Sequence, residues 1–195
     1  MSEAHKQFLE QVFGKARSRN RWSERPIAPE TLRELYELTK LGPTSMNCCP
    51  ARFYFLVSDG AKQRLAPHLA ENNRSKSLAA PCVALIAYDS SFYENMSKLF
   101  PIRAGMGAMF ANNAALASST AFRNGTLQGA YLIVVARALG LDCGPMSGFD
   151  NAGVDREFFT GTTVKSNFLC ALGYANDEPF PRLPRLTFAE AAAVL

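Results

Sequence analysis

Residues 41–57 change their structural character twice and constrain the fold more than any other part of the chain. Gly42 and Pro43 end a helix, because glycine tolerates the left-handed conformation of a helix stop and proline cannot continue the helix. The polar residues that follow are Thr44, Ser45 and Asn47. Residues 53–57 are an apolar run of aromatic and β-branched side chains, typical of a buried strand. The segment therefore predicts a polar loop in which a planar, hydrogen-bonding ligand can bind.

Helical and extended patterns alternate along the rest of the chain. Amphipathic helices are predicted over residues 4–17 and from Pro29, where proline suits a first helical turn. Residues 82–87 form a continuous apolar run, which predicts a strand buried on both faces. Residues 166–174 predict another core strand. The chain length of 195 residues fits one domain that mixes helices and strands.

A long helical pattern covers residues 113–138. Its second half, residues 130–139, is apolar nearly all round and is expected to be buried. Gly125 and Gly129 lie four residues apart and permit the close approach of another helix or a ring. Because so buried a helix needs cover on all sides, the pattern predicts a homodimer. Residues 105–110 lack the third glycine of a dinucleotide fingerprint and follow no strand, so they predict a mobile loop or lid.

The composition argues against several classes of protein. Hydrophobic residues make up 48% of the chain and charged residues 19%, which is enough apolar material for a core. The net charge of +4 is scattered and too weak to predict nucleic-acid binding. No signal segment is evident, and the longest apolar run is too short to span a membrane. We therefore predict a cytoplasmic protein with no nucleic-acid or membrane partner.

Neither cysteine nor histidine is arranged for catalysis or metal binding. The five cysteines contain no C-x-x-C pair and are odd in number, so neither a zinc site nor a disulfide framework is predicted. Only His5 and His68 are present, and neither lies in a catalytic context, so a histidine-dependent hydrolase is not predicted. No metal ligands are predicted. Cys48 or Cys49 as a nucleophile remains an alternative, although no partnered base is evident.

Two basic segments are candidates for binding a phosphate. Residues 17–22 carry three arginines at alternate positions, and Arg182 and Arg185 lie near the C-terminus. A guanidinium suits a phosphate because its fork donates two parallel, charge-assisted hydrogen bonds. The alternative for both segments is solvated surface charge. A non-enzymatic basic module that binds anions or nucleic acid is therefore a rival interpretation.

Four segments together resemble the FMN-dependent nitroreductase family. The family's flavin-contacting loop, Pro-Ser/Thr-Ser-x-Asn, is matched by Pro43, Thr44, Ser45 and Asn47. Its Arg-Ser segment after the first helix, which holds the FMN phosphate, is matched by Arg17 and Ser18, with Asn20 where the family often has a basic residue. Its glycine-rich segment facing the flavin ring is matched by Pro145, Met146, Ser147 and Gly148. Its basic residues near the C-terminus are matched by Arg182 and Arg185.

The resemblance implies an α+β fold, with a mainly antiparallel sheet of four or five strands flanked by helices, as a single domain over residues 1–195. It also implies a homodimer that pairs across the flavin. FMN is the implied cofactor, and NADH or NADPH is the co-substrate in a ping-pong reaction with a small acceptor. The flavin carries the chemistry, so no catalytic side chain is predicted.

Three details are similar to the malonic semialdehyde reductase subgroup. They are the Pro-Met-Ser-Gly-Phe-Asp segment, residues 121–124, and the Arg-Leu-Pro-Arg-Leu segment near the C-terminus. The similarity implies reduction of malonic semialdehyde to 3-hydroxypropanoate. A substrate carboxylate then needs a cation, because a buried unpaired carboxylate is costly, and Arg52, Arg103 and Arg123 are the candidates. A nitroaromatic or quinone reductase of broad specificity is the alternative.

Overall fold

A four-stranded antiparallel sheet forms the centre of the computed structural model, which describes all 195 residues. The strands are β1 (Ala51–Leu56), β2 (Cys82–Asp89), β3 (Asp142–Met146) and β4 (Val164–Gly173). Their order across the sheet is β1-β2-β4-β3, and every neighbouring pair is antiparallel. The predicted α+β class and antiparallel sheet are therefore confirmed, and β1 and β3 lie at opposite edges.

Nine α-helices surround the sheet. They are α1 (Glu3–Leu9), α2 (Pro29–Thr39), α3 (Asp59–Leu65), α4 (Glu71–Ala79), α5 (Met96–Leu99), α6 (Met106–Ala111), α7 (Ala114–Ala138), α8 (Asn151–Phe159) and α9 (Phe188–Ala191). The long helix α7 begins one residue after the predicted start, where the side-chain oxygen of Asn113 accepts a hydrogen bond from the Leu116 amide at 3.0 Å. None of the helices is both long enough and apolar enough to cross a membrane.

The sheet has an apolar core on each face, because successive side chains of a strand point to opposite sides. On β2, Ala84 and Ile86 pack with Leu132 of α7 and Leu35 of α2. On the other face, Val83, Leu85 and Ala87 pack with side chains of α3 and α8. The central strand β2 is therefore covered by helices on both sides, which explains why its sequence is a continuous apolar run.

Helix α7 lies unusually close to the sheet because of two glycines. A Cβ atom at Gly125 would come within 2.8 Å of the Tyr88 Cβ, and one at Gly129 would come within 2.6 Å of the Phe168 ring. The predicted close approach is therefore present, and it is made to the sheet. The expectation that residues 130–139 are buried on all sides is wrong within a single chain. Of these ten residues, only Leu132 and Ala136 are buried.

Two other predicted segments differ from the structure. Residues 105–110 were expected to be a loop or lid, but α6 forms because Phe110 is buried against Phe92, with ring centroids 4.9 Å apart. The first helix changes to a π-helical turn at Glu10–Gly14. The predicted apolar face of this segment is not covered within the chain, since Phe8 and Phe13 are 47% and 54% exposed and only Val12 is buried.

Candidate functional site

The residues predicted to bind a phosphate converge on one cavity. It has a volume of about 650 Å³ and is lined by residues from the N-terminal segment, the end of α7 and the C-terminal segment. The polar lining residues are Arg17, Ser18, Asn20, Arg137, Arg182 and Arg185. Four of these carry a guanidinium group, and no carboxylate lines the cavity. We call this site the basic cavity; its composition favours an anion.

The arginines of the basic cavity donate to neutral oxygens. Arg17 Nη1 donates to the carbonyls of Gly14 and Ala16 at 2.9 and 2.8 Å, and Arg17 Nε donates to the Phe180 carbonyl at 3.3 Å. Arg182 Nη2 shares the Gly14 and Ala16 carbonyls at 2.8 and 3.3 Å. A phosphate would be a better partner for these guanidinium groups, because it carries a negative charge and can accept two parallel hydrogen bonds from one guanidinium.

The N-terminal segment reaches the cavity by running against β3. Ser18 forms a parallel bridge with Cys143, and the Arg19 amide donates to the Cys143 carbonyl at 3.0 Å. Gly144 permits this contact, because a Cβ atom there would come within 2.5 Å of the Arg19 carbonyl oxygen. Ser18 is therefore placed both in the cavity and beside the strand that leads to residues 145–148.

Arg19 has a different environment from Arg17, although the two are separated by one residue. It forms ion pairs with Asp142 at 3.5 Å and with Asp177 at 3.4 Å. The alternative of a solvated surface charge therefore does not hold for Arg19. These contacts draw its side chain away from the basic cavity, which is lined by Arg17 but not by Arg19.

The end of β3 presents two free amides. Met146 is buried, whereas Ser147 is exposed. The Gly148 carbonyl accepts from the Ala70 amide at 3.0 Å and from Asn73 Nδ2 at 2.9 Å, which fixes the turn against α4. The N–H groups of Ser147 and Gly148 donate no backbone hydrogen bond within the chain. Both are therefore available to the acceptor atoms of a planar ligand.

The predicted polar loop before β1 is strained. Met46, Asn47 and Cys49 have φ angles of 52°, 52° and 38°. Non-glycine residues in this left-handed region cost about 1–3 kcal/mol each and cluster at functional sites. Asn47 uses its side chain inside the chain, where Nδ2 donates to the Leu99 carbonyl at 2.7 Å and Oδ1 accepts from Cys49 Sγ at 3.4 Å. A ligand contact from Asn47 stays a prediction.

Three side chains of α7 hold this loop, which we call the Thr44–Pro50 loop. Asn124 Oδ1 accepts from the Ser45 amide at 2.9 Å, and Gln128 Oε1 accepts from the Ala51 amide at 2.9 Å. The Tyr131 hydroxyl donates to the Pro43 carbonyl at 3.0 Å. Positions 124, 128 and 131 have the i, i+4, i+7 spacing of one helix face. Sequence reasoning missed these roles; the signal was two amides inside a largely apolar helix.

The thiol of Cys48 is poorly suited to nucleophilic chemistry. Its side chain is buried, and burial raises the pKa of this thiol to about 11. The reactive form of a cysteine is the thiolate, so Cys48 is protonated and inert near neutral pH. The neighbouring Cys49 contacts Thr44 Oγ1 at 3.6 Å and Asn47 Oδ1 at 3.4 Å, and neither is a base.

The candidate site residues divide into two groups at opposite edges of the sheet. The basic cavity and residues 145–148 lie along β3, while the Thr44–Pro50 loop leads into β1. Three strand-to-strand steps separate these edges, on the order of 14 Å at about 4.8 Å per step. Within one chain, Ser147 therefore follows one edge strand, while Ser45 lies in the loop that leads into the other.

One known family matches most of the chain. Residues 15–174 match the model of the nitroreductase family. The chain belongs to the nitroreductase family. Two relatives each align with 95% of this nitroreductase-family chain. One, from Cupriavidus pinatubonensis, is 50% identical over 188 residues and 96% of its own length; HadB from Ralstonia pickettii is 52% identical over 189 residues and 96% of its own length. Both are named provisionally as NADH dehydrogenase/NAD(P)H nitroreductases.

Solved structures show the same fold. The nitroreductase-like YdfN of Bacillus subtilis superposes with a TM-score of 0.87 at 22% identity, covering 98% of this chain and 100% of that one. A nitroreductase-like protein from Exiguobacterium sibiricum, solved in complex with FMN, superposes with a TM-score of 0.86 at 24% identity, covering 96% and 97% of the two chains. The nitroreductase fold predicted from the sequence is therefore confirmed.

The three arginines considered for a substrate carboxylate have different surroundings in this nitroreductase-family chain. Arg52 Nη2 pairs with Asp89 Oδ2 at 2.7 Å, and its Nη1 donates to the carbonyls of Cys49, Pro50 and Ala51. Arg103 lies in the exposed turn before α6. Arg123 is exposed on α7 and adjoins Asn124, which holds the Thr44–Pro50 loop. Arg52 is therefore engaged, whereas the side chains of Arg103 and Arg123 are exposed and form no hydrogen bond or ion pair within the chain.

Proposed function

We propose that residues 1–195 form a single-domain, FMN-dependent oxidoreductase that takes reducing equivalents from NADH or NADPH and passes them to a small acceptor. The basic cavity is the main support, because it gathers four guanidinium groups and no carboxylate, and three of its arginines are those that the family resemblance assigns to the phosphate. The names of the two relatives and the FMN complex of the related structure agree with this proposal.

The spacing of the site suits a flavin mononucleotide. Ser18 in the basic cavity bridges to Cys143, and Ser147 follows four residues later, about 13 Å along the strand at about 3.3 Å per residue. In our proposal Arg17, Ser18, Arg182 and Arg185 bind the phosphate, and the amides of Ser147 and Gly148 bind the edge of the ring. The flavin would supply the hydride chemistry, while these residues bind and orient it.

The separation of the two site groups supports a homodimer as part of this proposal. Since Ser45 lies at the opposite edge of the sheet from Ser147, the Thr44–Pro50 loop of a second copy would complete the flavin site. Exposed apolar side chains on α7 supply a surface for pairing: Leu116, Phe122 and Leu127. Sedimentation should show a dimer at micromolar concentration. A stable, FMN-loaded and active monomer would refute this arrangement.

A complementation experiment tests whether each flavin site combines two chains. Arg17→Ala damages the basic cavity, and Asn124→Leu damages the support of the loop. Because a mixed dimer of the two variants has one site with neither change, co-refolding should restore tight FMN binding at that site. FMN binding that stays as weak as in the two parent variants would show that each site belongs to one chain.

For the acceptor we propose malonic semialdehyde, with Arg123 as the carboxylate anchor. The ion pair of Arg52 with Asp89 engages one of the three candidates, and Arg123 precedes Asn124, the residue that holds the loop proposed to face the flavin. Arg123→Ala should raise KM for the acid selectively and leave the NAD(P)H half-reaction nearly unchanged. Steady-state kinetics should compare malonic semialdehyde with an uncharged aldehyde, a quinone and a nitroaromatic. If kcat/KM for the quinone or the nitroaromatic is orders of magnitude higher than for malonic semialdehyde, the protein is a nitroreductase of broad specificity.

The absorption spectrum of the purified protein tests the proposed cofactor directly. A yellow protein that releases FMN on denaturation is expected, because the basic cavity fits a terminal phosphate. Release of FAD, or failure of the colourless protein to take up added FMN, would contradict the proposal. The cytoplasmic location and the absence of a nucleic-acid partner stay predictions.

A further inference from the structure

We infer that Arg137, in the last turn of α7, is a further phosphate-binding residue of the basic cavity. The inference rests on the proposed FMN function. Arg137 lines the cavity together with Arg17, Arg182 and Arg185, although it is 120 residues from Arg17 in sequence and 45 from Arg182. No recognised sequence segment of the family drew attention to it, because it lies inside an apolar stretch.

The guanidinium of Arg137 has an unused buried donor. Its Nη1 donates to the Val12 carbonyl at 3.1 Å, while its Nε is buried and has no hydrogen-bond partner. A buried charged donor without a partner is costly, so such groups in native proteins usually serve a ligand, an ion or a water. Arg137 lines the basic cavity, so a phosphate bound there would bring an acceptor to this partly engaged guanidinium.

The nearby carboxylates do not neutralise Arg137. It also borders a second groove that contains Glu3, Glu10 and Asp142. Asp142 pairs with Arg19 at 3.5 Å, and Arg137 forms no ion pair with any of the three. The positive charge is thus uncompensated on the side of the basic cavity, where a phosphate monoester would bring a charge of about −1.5 to −2.

Arg137 differs from the other three arginines in the rigidity of its backbone. Gln11 Nε2 donates to the carbonyls of Arg137 and Ala138 at 2.8 and 3.1 Å, which ties the end of α7 to the N-terminal segment. Arg182 and Arg185 lie on an exposed C-terminal segment without helix or strand structure. A cation held on a packed helix loses less conformational freedom on binding, so Arg137 supplies the preorganised part of the phosphate site.

The test compares FMN with riboflavin, which has the same ring but no phosphate. For Arg137→Gln we expect the Kd of FMN to rise roughly 10-fold or more, the effect of one charged hydrogen bond, while the Kd of riboflavin changes less than about twofold. Flavin fluorescence titration of the apoprotein measures both. Arg156→Gln, an exposed arginine on α8, is the matched control and should change neither value.

A second readout avoids flavin altogether. Inorganic phosphate should raise the melting temperature of the wild-type apoprotein by mass action and should raise that of Arg137→Gln less. If Arg137→Gln does not fold, Arg137→Lys keeps the charge without the fork and should retain part of the FMN preference over riboflavin. Equal losses for FMN and riboflavin, or no change in either, would overturn the inference; a wild-type protein that binds no FMN would instead refute the proposed function.

Discussion

The basic cavity and the Thr44–Pro50 loop are built on different physical principles. In the cavity, Arg17 and Arg182 both donate to the carbonyls of Gly14 and Ala16. Each carbonyl therefore keeps a hydrogen-bond donor if one of the two arginines is removed. In the loop, the Ser45 amide has one acceptor, Asn124, and the neighbouring backbone has positive φ angles. The difference teaches that a charged site can lose one donor and keep its shape, whereas a strained loop depends on each support.

The largest effect is expected from removing two supports of the loop together. Asn124→Leu with Gln128→Leu leaves the amides of Ser45 and Ala51 without acceptors. Each orphaned donor costs about 1–3 kcal/mol, so the free energy of unfolding should fall by roughly 2–6 kcal/mol. Urea denaturation followed by circular dichroism measures this change.

A matched control for the double variant is Ser119→Ala on the same helix. Its hydroxyl is exposed and donates only to the Leu116 carbonyl, so its loss should change stability by no more than about 0.5 kcal/mol. If the double variant lost as little stability as Ser119→Ala, the loop would not depend on α7. The proposed difference between the loop and the basic cavity would then be wrong.

A smaller effect, and one confined to ligand binding, is expected in the basic cavity. Arg17→Ala should weaken FMN binding by about 1.5–3 kcal/mol, the scale of a hydrogen bond to a charged group, while the melting temperature stays nearly constant. Arg19→Ala should weaken FMN binding much less, because Arg19 pairs with Asp142 and Asp177 outside the cavity. Equal, small effects of both changes on the FMN Kd would place the phosphate elsewhere.

Gly144→Ala tests whether the cavity depends on close backbone contact with β3. The added methyl group would lie 2.5 Å from the Arg19 carbonyl oxygen, which belongs to the backbone and cannot rotate away. Overpacking of this kind costs about 1–3 kcal/mol of stability, and displacement of Ser18 should also weaken FMN binding. Gly60→Ala is the control, because nothing lies within 4 Å of its added Cβ. Similar melting temperatures for both variants would contradict this account.

The sequence predicted the parts of the site that depend on local pattern. Arg17 with Ser18, and Arg182 with Arg185, could be identified because arginines cluster within a few residues. The long helix and the central strand were identified from the periodicity of apolar side chains. Their convergence on one cavity agrees with the predicted grouping, although their contacts with FMN stay predictions.

The parts that were missed depend on tertiary contacts. Asn124 and Gln128 interrupt an apolar helix, and only the crossing of α7 over the sheet shows that they meet the Ser45 and Ala51 amides. Arg137 lies in a stretch that was expected to be uniformly buried. Periodicity gives the face of a helix but not the backbone group that the face will meet, so polar residues inside apolar patterns were undervalued.

The smallest expected effect concerns the thiol of Cys48, which lies in the loop and has no counterpart in the basic cavity. Burial raises the pKa of Cys48 to about 11 from an ordinary value near 9. Below pH 9 the thiol is protonated in both the folded and the unfolded chain. The free energy of unfolding then does not depend on the ionisation of this thiol. Between pH 9 and about 11 the unfolded chain loses this proton first, so the free energy of unfolding must fall.

Comparison of melting temperatures at pH 8 and pH 10.5 isolates this contribution. The wild-type protein should lose more stability over this interval than Cys48→Ala, because the variant lacks the thiol whose ionisation favours unfolding. Lysines, tyrosines and Cys82, whose pKa burial raises to about 12, titrate in both proteins and therefore cancel in the difference. If the wild-type protein and Cys48→Ala lost the same stability, Cys48 would ionise in the folded chain because the loop opens to solvent. The loop would then be the more mobile of the two regions.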